Sequence, residues 1–115
     1  MSDLLCEDTL KELAEQVGIE LIETLLVDLN EDAGSRVARM QDLLSNGNMD
    51  DLRKEAHTLK SSTGTLGLKV ISEQAAIIER TLVTGDGPDV APIVPQLPKM
   101  LKDGLSAANT WVAAQ

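Results

Sequence analysis

Residues 19–45 read IELIETLLVDLNEDAGSRVARMQDLLS. Within them Ile22, Leu26, Leu29, Ala33, Val37, Met40 and Leu44 follow one another at steps of 4, 3, 4, 4, 3 and 4. Apolar residues at that spacing fall on one stripe of an α-helix, and a stripe of this length needs other helices to cover it. Gly34, inside the run, costs about 1 kcal/mol relative to Ala, which the rest of the pattern outweighs. The stretch stops at Asn46-Gly47-Asn48, a turn signal. A long amphipathic helix inside a bundle is therefore the starting expectation.

The flanking sequence extends it. Upstream, 8–17 predicts a short helix with Leu10, Leu13 and Val17 on one face, Thr9 and Glu12 at capping-box spacing, and Gly18 as its stop. Downstream, 48–66 predicts a third helix with Asn48 as its N-cap and Asp50 and Asp51 in the first turn, where the helix dipole favours anions. Residues 68–84 predict a fourth, with Ile71, Ala75, Ile78 and Leu82 inward, before the turn Gly85-Asp86-Gly87-Pro88. Pro92, Pro95 and Pro98 each lack a backbone donor, so 89–97 reads as a short or distorted turn. A last helix starts near Pro95 or Pro98 and turns Leu101, Leu105, Ala108 and Val112 inward. The expectation is an all-α, up-down four-helix bundle with a short additional N-terminal helix, one domain over 1–115.

Composition agrees with helices and narrows the function. The aromatic residues amount to Trp111 alone, a poor basis for a β-sandwich or barrel. Ten Lys and Arg against 19 Asp and Glu give a net charge of −9. So acidic a surface repels phosphate backbones and anionic lipid, so neither nucleic acid nor membrane is an expected partner. Cys6 is a single cysteine, which fits a reducing compartment. MSDLLCEDTL lacks the basic and apolar regions of a signal peptide, and a cytoplasmic protein is expected. One His and one Cys cannot supply a zinc site, and no Gly-rich nucleotide loop is present. Asp28-Leu29-Asn30-Glu31-Asp32 begins like a calcium loop, but Ala33 stands where its glycine belongs and Arg39 where its closing glutamate belongs.

Chemistry concentrates at His57, the one histidine, midway along the third helix. Leu52, Ala56, Leu59, Thr63 and Leu66 form the inward stripe, and His57 lies about 100° from Ala56, at its border or outside. Arg53, Lys54, Lys60, Ser61 and Gly64, at offsets −4, −3, +3, +4 and +7, share its face. Residues 48–69 carry a net charge of +1 in a chain of −9. Ser61, Ser62 and Gly64 are small, and the simplest gain is clearance for another body approaching the imidazole. An exposed imidazole beside ammonium groups suits acceptance of a phosphoryl group. An ordinary surface histidine fits the spacing equally well.

AHTLKSSTGTLGL, residues 56–68, resembles the signature of histidine-containing phosphotransfer (HPt) domains, A-H-x-L-K-G-S-[SA]-x-x-L-G-A. Ala56, His57, Leu59, Lys60, Ser62, Leu66 and Gly67 match in register. The resemblance implies a four-helix bundle that relays a phosphoryl group between response-regulator receiver aspartates in a two-component phosphorelay, without kinase activity of its own. His57 would be phosphorylated on Nε2 and Lys60 would neutralise the phosphoryl group. Glu79, where relatives often carry a Gln or an acid, is a candidate to orient Nδ1. Arg53, Lys54, Ser61 and Gly64 would meet the partner. The implied partners are receiver domains and a hybrid sensor histidine kinase, met by a monomer. No cofactor is implied, since magnesium belongs to the receiver. Ser61 replaces the usual glycine after the lysine, and Leu26 stands where a Phe is common. The competing reading is a non-catalytic acidic helical adaptor that binds a protein partner.

Overall fold

The computed structural model describes residues 3–85 and 87–115. They form helices α1 (Glu7–Val17), α2 (Ile19–Ser45), α3 (Met49–Thr65) and α4 (Lys69–Thr84), a helical turn α5 (Gly87–Val90), a 3-10 turn (Val94–Gln96) and α6 (Leu97–Ala113). No strand occurs among the described residues. α2, α3, α4 and α6 make the four-helix bundle, each packed on two of the others, with α1 against α2. The molecule measures 43 × 21 × 21 Å. Its long axis matches the roughly 40 Å expected of the 27-residue α2 at about 1.5 Å per residue.

The predicted stripe of α2 is buried from Ile22 to Met40, while Leu44, in the last turn, is half-buried. Leu52, Ala56, Leu59, Thr63 and Leu66 of the α3 stripe are all buried. Thr63 satisfies its hydroxyl by donating to the Leu59 carbonyl at 2.7 Å. Asn48 caps α3 as predicted, its side-chain oxygen accepting from the Asp51 N–H at 3.3 Å. Ile71, Ala75 and Ile78 line the inner face of α4, with Leu82 half-buried.

The N-terminus departs from the capping box expected at Thr9. The N-cap is Cys6, and Thr9 lies inside the first turn, its Oγ1 donating to Cys6 Sγ at 3.1 Å. The cause lies outside the helix. Cys6 N–H donates to the Gly67 carbonyl at 2.8 Å and Lys69 N–H to the Leu4 carbonyl at 3.1 Å, so the chain is held against the α3–α4 turn before α1 begins. Gly67 has φ +75°, and a Cβ there would stand 2.9 Å from the Cys6 carbonyl oxygen, so the position needs glycine twice over. Val17, expected on the inner face, is 40% exposed. α1 lies chiefly on α2 alone, so its last turn finds no second surface.

The proline segment resolves into two short helical turns with a buried purpose. Val90, Val94 and Leu97 are fully buried, and Gln41 Nε2 donates to the Val94 carbonyl at 2.6 Å. α6 then begins at Leu97 with Pro98 in its first turn, where the missing N–H has no intrahelical partner to lose. Of the predicted turn Gly85-Asp86-Gly87-Pro88, Asp86 lies outside the described residues and Gly87 already opens α5.

Candidate functional site

α3 and α4 run antiparallel from the Leu66-Gly67-Leu68 turn, and this brings Glu79 of α4 to His57 of α3. His57 Nδ1 and Glu79 Oε2 are 2.5 Å apart, and Lys60 Nζ donates to the second carboxylate oxygen, Oε1, at 2.7 Å. The His57 side chain is 60% exposed, that of Lys60 36% and that of Glu79 20%. The carboxylate thus lies under the ring while the ring faces outward. Lys60 and then His57 hold the Glu79 carboxyl below the ordinary glutamate range, against an opposing effect of partial burial. An ionised carboxylate only accepts hydrogen bonds, so Nδ1 carries the ring hydrogen at this contact. In the neutral ring, Nε2 then holds the free lone pair, and among the described residues it meets no hydrogen-bond partner.

The basic face seen in the sequence is largely paired. Asp50 takes Arg53 Nη2 at 3.1 Å and Lys54 Nζ at 3.3 Å, and these two cations lower its carboxyl below the usual aspartate range. Arg53, Lys54 and Thr58 nevertheless line a shallow depression with His57 and Glu79, so both cations border the ring. Thr58, next to His57 in the chain, carries no sequence signal that would single it out. Arg36 and Arg39 of α2 both bond Glu55 of α3, at 2.7 and 2.8 Å. That cross-helix cluster follows from the fold and has no local spacing to announce it.

Ser61 is exposed, one helical turn along α3 from His57. Gly64 requires a correction. It is only half-exposed, and a Cβ on it would stand 3.0 Å from Ser72 Oγ of α4. Its missing side chain makes room inside the bundle for Ser72, and the clearance expected for a partner is supplied at that point only by its backbone. Ser62 faces the α2 side, where it shares a shallow groove with Leu25, Leu29 and Leu66. Cys6 stands at the start of α1, tied to the α3–α4 turn, and is not brought to His57. Among the described residues no helix is long and apolar enough to cross a membrane, and no group of three or more His, Cys, Asp or Glu could hold a metal ion.

The family model of the Hpt domain matches residues 6–107, nearly the whole bundle including α3 and α4. No curated protein and no solved structure matches the chain. Hpt domains serve histidine phosphotransfer in two-component signalling, where they interact with the response-regulator and kinase components of phosphorelays. An exposed histidine on the third helix, backed by a carboxylate from the fourth, in a bundle matched over almost its full length by this model, places the chain in the Hpt domain family.

Proposed function

We propose that the chain accepts a phosphoryl group on His57 Nε2 from the acyl phosphate of a receiver-domain aspartate and passes it to the aspartate of another. The observation that carries this reading is the Glu79 carboxylate on Nδ1 of a ring that is 60% exposed. It leaves Nε2 as the nucleophile, on the open side. In the forward step the Nε2 lone pair forms the N–P bond, the P–O bond to the aspartyl oxygen breaks, and the aspartate departs as a carboxylate. The Nδ1 hydrogen stays in place, hydrogen-bonded to Glu79. The reverse step delivers the phosphoryl group to the next receiver.

Lys60 is held at the site by Glu79 and in this reading turns to the phosphoryl oxygens, offsetting their charge. Arg53, Lys54 and Ser61, with the backbone at Gly64 and the adjacent face of α2, form the rim on which receivers dock. A shuttle needs such contacts to be modest and easily released. The chain contributes no cofactor, and magnesium comes with the receiver's acidic pocket. A hybrid sensor histidine kinase supplies a second partner. The protein acts as a monomer in the cytoplasm and binds neither nucleic acid nor membrane.

The test is phosphoryl transfer from a phosphorylated receiver domain to wild type and to His57→Gln. Acid-labile, alkali-stable label on wild type alone is the expected result. No transfer from a broad panel of receivers to a folded protein would overturn the reading in favour of the adaptor.

A further inference from the structure

α3 meets α4 at the pairs His57–Glu79, a polar contact, and Gly64–Ser72, a packing contact, and these pairs have the same spacing on both helices. At one, Glu79 meets His57 and Lys60; at the other, Ser72 meets Gly64 and the Lys60 backbone. His57 and Gly64 are seven residues apart on α3, and Ser72 and Glu79 are seven apart on α4. Seven residues are two helical turns, about 10.5 Å. The contacts are therefore two rungs of one antiparallel ladder.

The second rung is close and directional. Ser72 Oγ donates to the Lys60 carbonyl at 3.0 Å. A Cβ on Gly64 would lie 3.0 Å from that Oγ and 3.8 Å from Ser72 Cβ. The hydroxyl fills the place of a side chain at 64 and bonds the backbone of the residue whose ammonium holds Glu79. Among the described residues, the hydrogen bonds between α3 and α4 are this one and the two made by Glu79. The remaining α4 anchors, such as Ile71, Ala75 and Ile78, are apolar and carry no directional preference.

We infer that Gly64 and Ser72 are positioning residues for the phosphotransfer site, their contact setting the alignment of α4 on α3 that brings the Glu79 carboxylate to His57 Nδ1 and Lys60 Nζ together. The inference rests on His57 as the phosphoryl acceptor, but its primary readout does not.

The experiment records the 15N spectrum of the His57 ring, which reports which nitrogen carries the hydrogen, in wild type, Gly64→Ala, Ser72→Ala and the double variant. Transfer from a phosphorylated receiver is measured on the same samples. In Gly64→Ala the added methyl displaces the hydroxyl or the helix, Glu79 withdraws, and the Nδ1–H form loses population. Transfer slows about tenfold, in keeping with the sensitivity of bound reactions to sub-ångström misplacement. Ser72→Ala loses the bond without added bulk and moves both readouts less, about threefold in rate. The double variant, with an ordinary contact between the two Cβ atoms, returns to the Ser72→Ala level. Gly34→Ala, whose Cβ meets nothing within 4 Å, leaves the ring spectrum unchanged.

A Gly64→Ala protein that melts earlier but keeps the wild-type ring spectrum would overturn the inference, since a merely structural glycine does just that. A double variant no better than Gly64→Ala would overturn it too. If Gly64→Ala fails to fold, Ser72→Ala decides, and a wild-type ring spectrum there refutes the alignment role. Wild type that accepts phosphoryl while the ring ignores these substitutions sinks the alignment alone. A ring that responds as stated in a protein that accepts no phosphoryl upholds the alignment and sinks the acceptor reading.

Discussion

Replacing Glu79 separates the two tasks of its carboxylate, because each oxygen has its own partner: Oε2 takes His57 Nδ1 at 2.5 Å and Oε1 takes Lys60 Nζ at 2.7 Å. In Glu79→Ala both contacts go. A hydrogen bond to a charged group contributes about 1.5–3 kcal/mol, and with His57 60% exposed, water replaces part of it, so the lower end applies. About 1.5 kcal/mol is roughly a tenfold change in the ratio of Nδ1–H to Nε2–H rings, and single-turnover transfer should slow by up to about that factor. Glu79→Gln retains one oxygen for the Nδ1 hydrogen, but its amide nitrogen then faces the Lys60 ammonium, donor against donor. Lys60, about one-third exposed, turns to water at little cost. A neutral acceptor is worth about 0.5–1.5 kcal/mol, so Gln should slow transfer about threefold, between wild type and Ala. Neither change should unfold the bundle, since a partly exposed ion pair contributes about 0.2–1 kcal/mol. The assay is rapid-quench transfer from a phosphorylated receiver, with 15N spectra of the His57 ring from the same preparations. Wild-type rates in Glu79→Ala would refute the reasoning. Slowed transfer with an unchanged ring spectrum would refute the orienting role and leave the charge on Lys60 as the cause.

Lys60→Ala should slow phosphoryl transfer about tenfold while the thermal midpoint moves by a few degrees at most, and unchanged transfer kinetics would discard its electrostatic role. The pH dependence follows from the lowered Glu79 carboxyl: the stabilisation it brings is complete above the ordinary glutamate value of 4.5 and is lost as pH falls through the lower folded value. The difference in thermal midpoint between wild type and Glu79→Ala should therefore still be present at about pH 5 and disappear in stronger acid; a difference already lost at pH 5 would contradict the lowered carboxyl. Gly34→Ala, in the middle of α2 with open space at its Cβ, should raise stability by about 0.5–1 kcal/mol in urea unfolding. Asn48→Ala removes the cap of α3 and should lower stability by about 1 kcal/mol in the same assay, with the slope of the transition unchanged.

Much of the bundle was legible because its signals are local. The α2 stripe from Ile22 to Met40, the Asn48 cap and the α4 stripe each lie within one helix and depend on nothing beyond it. The misreadings arose where a distant segment intervenes. Thr9 and Glu12 carry capping-box spacing, yet Cys6 is the cap because Gly67, far along the chain, holds its N–H. Gly64 looks like clearance for a partner when α3 is read alone, and Ser72 occupies that clearance once α4 is laid beside it. The basic face at His57 is correct as a count of charges, but Asp50 and Glu79 take up most of it in pairs.

The meeting of His57 with Glu79 is of the second kind: the turn between their helices selects which residue of α4 comes opposite the ring, and the Gly64–Ser72 contact then sets its fine alignment. His57 lies ten residues before Gly67 and Glu79 twelve after; Gly64 lies three before and Ser72 five after. Both pairs keep the same offset about the turn, as an antiparallel helix pair with one fixed connection must. Each added or removed residue rotates a helix by about 100° and shifts it by about 1.5 Å. One residue inserted at the turn would offer Ile78 in the place of Glu79, and one removed would offer Arg80, so His57 Nδ1 would meet a methyl group or a cation instead of an acceptor. The turn itself is held by Gly67 at φ +75°, with the Cys6 carbonyl too close for any side chain. The group that holds the hydrogen of His57 is thus chosen by backbone geometry ten residues away, at a glycine that touches neither partner.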